Sequence, residues 1–168
     1  MEIRVNPTRM ELLRLKKRLV TAVRGHKLLK DKLDELMKNF LELVEENQRL
    51  RTKVEEDLAQ ALDGFAMARA VISREVLEAA ITTSRGDATL TAGTTSKMSV
   101  EVPVFSLEMT PALGNGFGMT ETSAELDEAV NLLANSFTSM VELAQVEKTV
   151  ELMAAEIERT RRRVNALE

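Results

Sequence analysis

A chain of 168 residues with no Trp, no Tyr, 3% aromatic and 30% charged residues is poorly equipped for a globular core and well suited to long helices. The absence of Cys excludes a disulfide framework, a thiolate metal site and a cysteine nucleophile, and the single His leaves no His-rich metal spacing. The net charge of −4 hides an asymmetry: residues 1–33 carry ten Lys or Arg against three Asp or Glu, net +7, so the other 135 residues carry −11. A basic end of this kind points to an anionic partner.

The opening "MEIRVNPTRMELLRLKKR" has no signal-peptide core, and no later apolar run approaches the roughly 18 residues of a membrane span. The chain therefore reads as cytoplasmic, without direct membrane insertion. Pro7 followed by Thr8 and Glu11 is a capping-box signature, which predicts a helix beginning near Arg9. From there positions 12, 15, 19, 22, 26, 29, 33, 36, 40, 43, 47, 50 and 54 alternate steps of three and four, and all but His26 and Asn47 are apolar. This heptad seam predicts a left-handed coiled coil. After Val54 the apolar positions shift to Leu58, Ala61, Phe65, Ala68 and Ile72, a stutter that locally unwinds a supercoil. The first element is expected to run over residues 1–85, with Gly86 as its C-terminal cap, and to be roughly 110 Å long.

Residues 86–120 read as an irregular connector. "SKMSVEVPVF" alternates Met98, Val100, Val102 and Val104 on one face, a strand signal that Pro103 confines to an edge or a bulge. A short β-hairpin with an unspecified partner strand follows from it. Gly114, Gly116 and Gly118 are better read as a flexible linker than as a phosphate loop, because no Gly-Lys-Ser/Thr follows them. Thr122 with Glu125 opens a second helix over 121–168. Its seam is expected at Leu126, Val130, Leu133, Phe137, Met140, Leu143, Val146, Val150, Met153, Ile157, Thr160, Val164 and Leu167. The predicted fold is all-α: two long helices in an antiparallel left-handed coiled coil, each burying the other's seam.

Few residues in this pattern carry chemistry. Acidic runs such as Glu45–Glu46 and Glu55–Asp57 read as solvated helix faces. His26 on the seam reads as a polar register-setting position, with a pH sensor as the alternative, and Asn47 as a second register-setting position. Gly25 and Gly64 are either tolerated glycines or points of flexure or close approach. The run Arg159 to Arg163 is an exposed helical face or a contact surface for an acidic partner. No aromatic precedes Phe40, so stacking on nucleic acid is unsupported, and no nucleic-acid partner and no cofactor are expected.

"VNPTRMELLRLKKRLVTAVRGHKLLKDKLDELM" and "VEKTVELMAAEIERTRRRVNALE" closely resemble the two ends of the D subunit of the rotary V-type and A-type ATPases in their bacterial and archaeal form. The resemblance implies a non-catalytic central rotor shaft, linking ATP turnover in a hexamer of catalytic and non-catalytic subunits to ion translocation in the membrane sector. The F subunit of the stalk would bind its side, and an adaptor subunit would join it to the membrane ring. Carried over residue by residue, the hexamer contacts would fall on Asn6, Thr8, Arg9, Lys16, Lys17, Arg24 and Lys27, and on Arg161, Arg162 and Arg163 of the returning helix. The alternative is a generic coiled-coil adaptor or scaffold with a basic contact tip. Members of the family continue past "RRRVNALE", which implies that this second helix is truncated. A hairpin that pairs Arg85 with Glu121 brings Glu168 level with about residue 38, and is expected to leave Leu12, Leu15, Leu19, Val23, Leu29 and Leu33 without an intramolecular partner.

Overall fold

The computed structural model describes residues 8–83, 87–109 and 124–167. Helix α1 spans Arg9–Val71, α2 Arg74–Thr83 and α3 Ala124–Asn165, with strands β1 (Ala88–Lys97) and β2 (Val100–Met109) between α2 and α3. Asn6, Gly86, the glycines at 114, 116 and 118, and Thr122 lie outside the described residues. The two long helices run antiparallel, as Lys32 against Glu156 at one level and Gly64 against Ala129 at another require. At about 1.5 Å per residue, the 63 residues of α1 make a rod about 95 Å long.

The α1 seam is the expected one from Ala22 onward: Leu36, Leu50, Val54, Ala61 and Ala68 are buried, and Phe40, Leu43, Asn47, Leu58 and Phe65 half-buried. The expected continuous helix to Arg85 is corrected to two helices. Ile72 leaves the helix in an extended conformation (φ −102°, ψ 140°). Ser73 then caps α2, its side-chain oxygen accepting from the amide of Val76. Neither Gly nor Pro makes this break; it falls where two β-branched residues, Val71 and Ile72, precede a serine able to cap.

Because the chain leaves the pair at Val71, the return helix starts lower on α1. Leu167 reaches a small cavity of about 180 Å³ shared with Leu19, Ala22, Val23 and His26. The end of α3 thus lies about four turns further down α1 than residue 38, the level set by closure at Arg85. Leu29 and Leu33 are half-buried, contrary to expectation, whereas Leu12 and Leu19 remain 54% and 64% exposed.

A second correction concerns the α3 seam between residues 129 and 139. Ala129, Ser136 and Ser139 are buried there, while the expected Leu133 and Phe137 are about 40% exposed. Small side chains let the backbones approach: a Cβ added to Gly64 would stand 3.0 Å from the Cβ of Ala129. Gly25 meets nothing within 4 Å. Gly25→Ala should therefore stabilise α1 by about 1 kcal/mol through helix propensity. Gly64→Ala should lower the melting temperature by forcing the helices apart. Circular dichroism melts check the pair, and equal gains from both substitutions would show that the helices separate freely at Gly64.

The hairpin pairs Ala88 with Met109 through Lys97 with Val100. Met98 and Ser99 form its two-residue turn with φ of 52° and 67°, a left-handed pair usually given to Asn-Gly. The expected single face of Met98, Val100, Val102 and Val104 is corrected here. Met98 belongs to the turn, and Val104 is 42% exposed. Val100 and Val102 are buried on one face, and beyond Pro103 the half-buried positions are Phe105, Leu107 and Met109, which the unbroken register places on the other face of the hairpin. The sheet lies along the rod: Phe105 N donates to Gln145 Oε1 (2.7 Å), and Val100 and Val102 join Leu36 and Met153 in one buried cluster. The hairpin tip therefore folds back to the level of Leu36 and does not stay at the connector end beside Gly64.

Candidate functional site

The residues singled out at the basic end occupy two different environments. Thr8 Oγ1 accepts the amide of Glu11 at 3.3 Å and caps α1, so its hydroxyl is engaged in helix geometry. Arg9, Lys16, Lys17, Arg24 and Lys27 are exposed. At 3.6 residues per turn Arg9, Lys16 and Lys27 line one stripe along α1, and Lys17 and Arg24 line another opposite the apolar seam. Arg24 and Lys27 lie level with Arg161, Arg162 and Arg163, which are exposed on α3, whereas Arg9, Lys16 and Lys17 project beyond the end of α3. The structure thus brings five of these cations to one level of the rod and leaves three on a single extended helix.

Ion pairs engage few of them. Arg162 pairs with Glu158 on its own helix. Among the described residues no ion pair involves Arg9, Lys16, Lys17, Arg24, Lys27, Arg161 or Arg163. Glu156 instead forms an ion pair with Lys32 across the helix pair at 3.6 Å and accepts a hydrogen bond from Arg159 along α3 at 3.0 Å, with its own side chain 13% exposed. This bridge joins the two helices just above the basic end. Lys32 and Glu156 carried no signal in the sequence beyond ordinary surface charge, because only the register of the pair brings them together, and Arg159, singled out with the arginine run through Arg163, pairs here with Glu156 of its own helix.

His26 and Asn47 are half-buried on the seam. Below them Leu12, Leu15, Leu19 and Ala22 line an open groove flanked by Lys16 and Arg18. Thr160 is fully buried and its hydroxyl has no hydrogen-bond partner among the described residues.

A rod of this kind, with a charged end and no assembled acid, base or nucleophile among the described residues, is suited to contact. The comparisons with known proteins agree. Residues 11–168 match the family model described as the ATP synthase D subunit. The chain belongs to the ATP synthase D-subunit family. Similar proteins include the V-type ATP synthase D subunit of Acetivibrio thermocellus, 55% identical over 169 residues, or 99% of this chain and 76% of that relative. That of Clostridium novyi is 52% identical over 170 residues, 99% of this chain and 79% of the relative. That of Clostridioides difficile is 49% identical over 168 residues, 99% and 76%. The D subunit is a central-stalk component and not a catalytic one, so the stalk reading holds and neither the generic adaptor nor an enzyme is favoured. As a D subunit, the chain is part of a complex with other ATPase subunits. No helix among the described residues is long and apolar enough to cross a membrane.

Proposed function

We propose that this D subunit is the rotor shaft of a V-type ATPase, with its basic end inserted among the catalytic and non-catalytic subunits of the hexamer. The observation that carries this reading is the exposed cation stripes at one end of a long antiparallel helix pair. A paired rod transmits torque because its seam resists sliding, and exposed charges make contacts weak enough to be released at each step. Each state of the hexamer would favour one shaft angle through differential contact energy. Arg9, Lys16, Lys17, Arg24, Lys27 and Arg161 to Arg163 are the proposed hexamer contacts, with Asn6 and Thr8 beside them. His26 and Asn47 would fix the seam register, since a polar pair at an apolar seam disfavours slipped alignments. The F subunit of the stalk would dock on the side of the rod, and an adaptor would join it to the membrane ring, which localises the shaft to the cytoplasmic face.

Tagged protein expressed in its native cell should co-purify with the catalytic and non-catalytic subunits, the F subunit and the adaptor. The purified chain alone should hydrolyse no ATP, and adding it to the reconstituted hexamer should raise turnover. An eluate without catalytic subunits, under conditions where the hexamer is intact, would reject the reading.

A further inference from the structure

The two edges of the hairpin are treated differently. The amide of Phe105 points away from β1, toward Gln145, so Phe105 and its partner Ala92 form a pair that exchanges no hydrogen bonds. The alternation along the ladder then fixes every other position. Thr89, Thr91, Gly93, Thr95 and Lys97 bond to β2, and the amides and carbonyls of Ala88, Leu90, Ala92, Thr94 and Ser96 point outward. The two-residue turn agrees, because it closes on the bonded pair Lys97 and Val100.

On the β2 side, which packs along α3, the outer edge is engaged at its centre: Gln145 takes the amide of Phe105, and Pro103, of the same parity, has no N–H to offer. On the β1 side nothing among the described residues closes it. The sheet has two strands, β1 is exposed at all ten positions, and residues 88–96, "ATLTAGTTS", contain no charge and no proline. Long edges of free-standing sheets are ordinarily guarded by Lys, Pro, a bulge or a cover. Among the described residues this edge has none of these over nine positions, although the surrounding surface is rich in charge.

We propose that β1 accepts a third strand, an extended and uncharged segment of another component of the ATPase, through main-chain hydrogen bonds. Five outward donors and five outward acceptors alternate along the edge with strand spacing, a pattern that another extended backbone matches residue for residue. Thr, Ser and Ala side chains on both faces of β1 admit a neighbour without a charge to bury. The proposal rests on the shaft reading for the presence of other subunits, and a second copy of this chain on the same edge is the competing occupant.

Residue-resolved hydrogen exchange on the full chain, alone and in the assembled ATPase, tests it. The expected result is amides of Thr91, Gly93 and Thr95 that are slow in both states, with Leu90, Ala92 and Thr94 fast in the free chain and slowed about 100-fold on assembly. In an assembly carrying Ala92→Pro, which removes one outward donor and no β1–β2 bond, Leu90 and Thr94 should exchange fast again while Thr91 and Gly93 stay slow. Unchanged rates at Leu90, Ala92 and Thr94 in an assembly that does contain the chain overturn the strand proposal alone. Slowing in the isolated chain that rises with its concentration overturns it in favour of a second copy. Failure of the chain to enter the assembly overturns both this proposal and the shaft reading.

Discussion

Reversing Arg9, Lys16, Lys17 and Arg24 together to Glu should weaken docking into the hexamer by at least about tenfold at low ionic strength, with a matching loss of coupled ATP turnover. All four side chains are exposed and none has an ion-pair partner among the described residues, so reversal breaks no ion pair there. An exposed ion pair contributes only about 0–1 kcal/mol, so each single reversal should change little, and the effect accumulates over two stripes of charge. Salt shortens the reach of these charges to about 10 Å at 0.1 M, so the defect should shrink as salt is raised. Helicity should survive, because Glu is a good helix former and Arg9 lies in the first turn, where an acidic residue is favoured. Docking that matches the parent at low salt would make the tip a solvated face and nothing more.

Leu36→Ala should lower the melting temperature by about 10 °C. Leu36 is fully buried where α1, α3 and the hairpin meet, packed with Val100, Val102 and Met153. Truncating a buried Leu costs about 2–5 kcal/mol, and for a chain of this size each kcal/mol shifts the midpoint by about 2–4 °C. The same cavity loosens the hairpin tip, so exchange at Val100 and Val102 should quicken more than exchange near Leu126 at the far end of α3. Leu41→Ala, at a position 57% exposed, is the control and should move the midpoint little. A Leu36→Ala variant that melts within about 2 °C of its parent would show that this cluster holds neither the pair nor the hairpin.

The long seam was legible because it rests on one period repeated over many residues, and the Thr8 cap because its geometry is local. What the sequence hid depends on contacts that periodicity does not report. The break at Ile72 interrupts an apolar spacing that continues smoothly through it, and only the serine cap betrays it. On α3, Leu133 and Phe137 fit the seam by type, yet the small residues Ala129, Ser136 and Ser139 lie inside, Ala129 where the helices come close beside Gly64, and periodicity of apolar residues does not report such positions. The partner of β2 was obscure for a related reason. β1 is a threonine-rich strand exposed on both faces, and the turn joining it to β2 is built from Met98 and Ser99 instead of a recognisable glycine pair. The exposed cations of the tip were visible as composition; their division into paired and overhanging groups followed from the register, which the break at Ile72 reset.

Side-chain size along the seam also sets how the rod deforms. Gly64 stands close against Ala129 between buried Ala61 and Ala68, whereas Leu36 packs with Met153 and the hairpin, and smaller side chains at a helix contact bring the two axes closer together. The flexural rigidity of two bonded rods grows with the square of their separation, so the narrow half is the more compliant and the buttressed half the more rigid. A load applied at the basic end would pass through the buttressed half with little loss of angle and be stored as elastic bend in the narrow one, which acts as a spring in series with the tip.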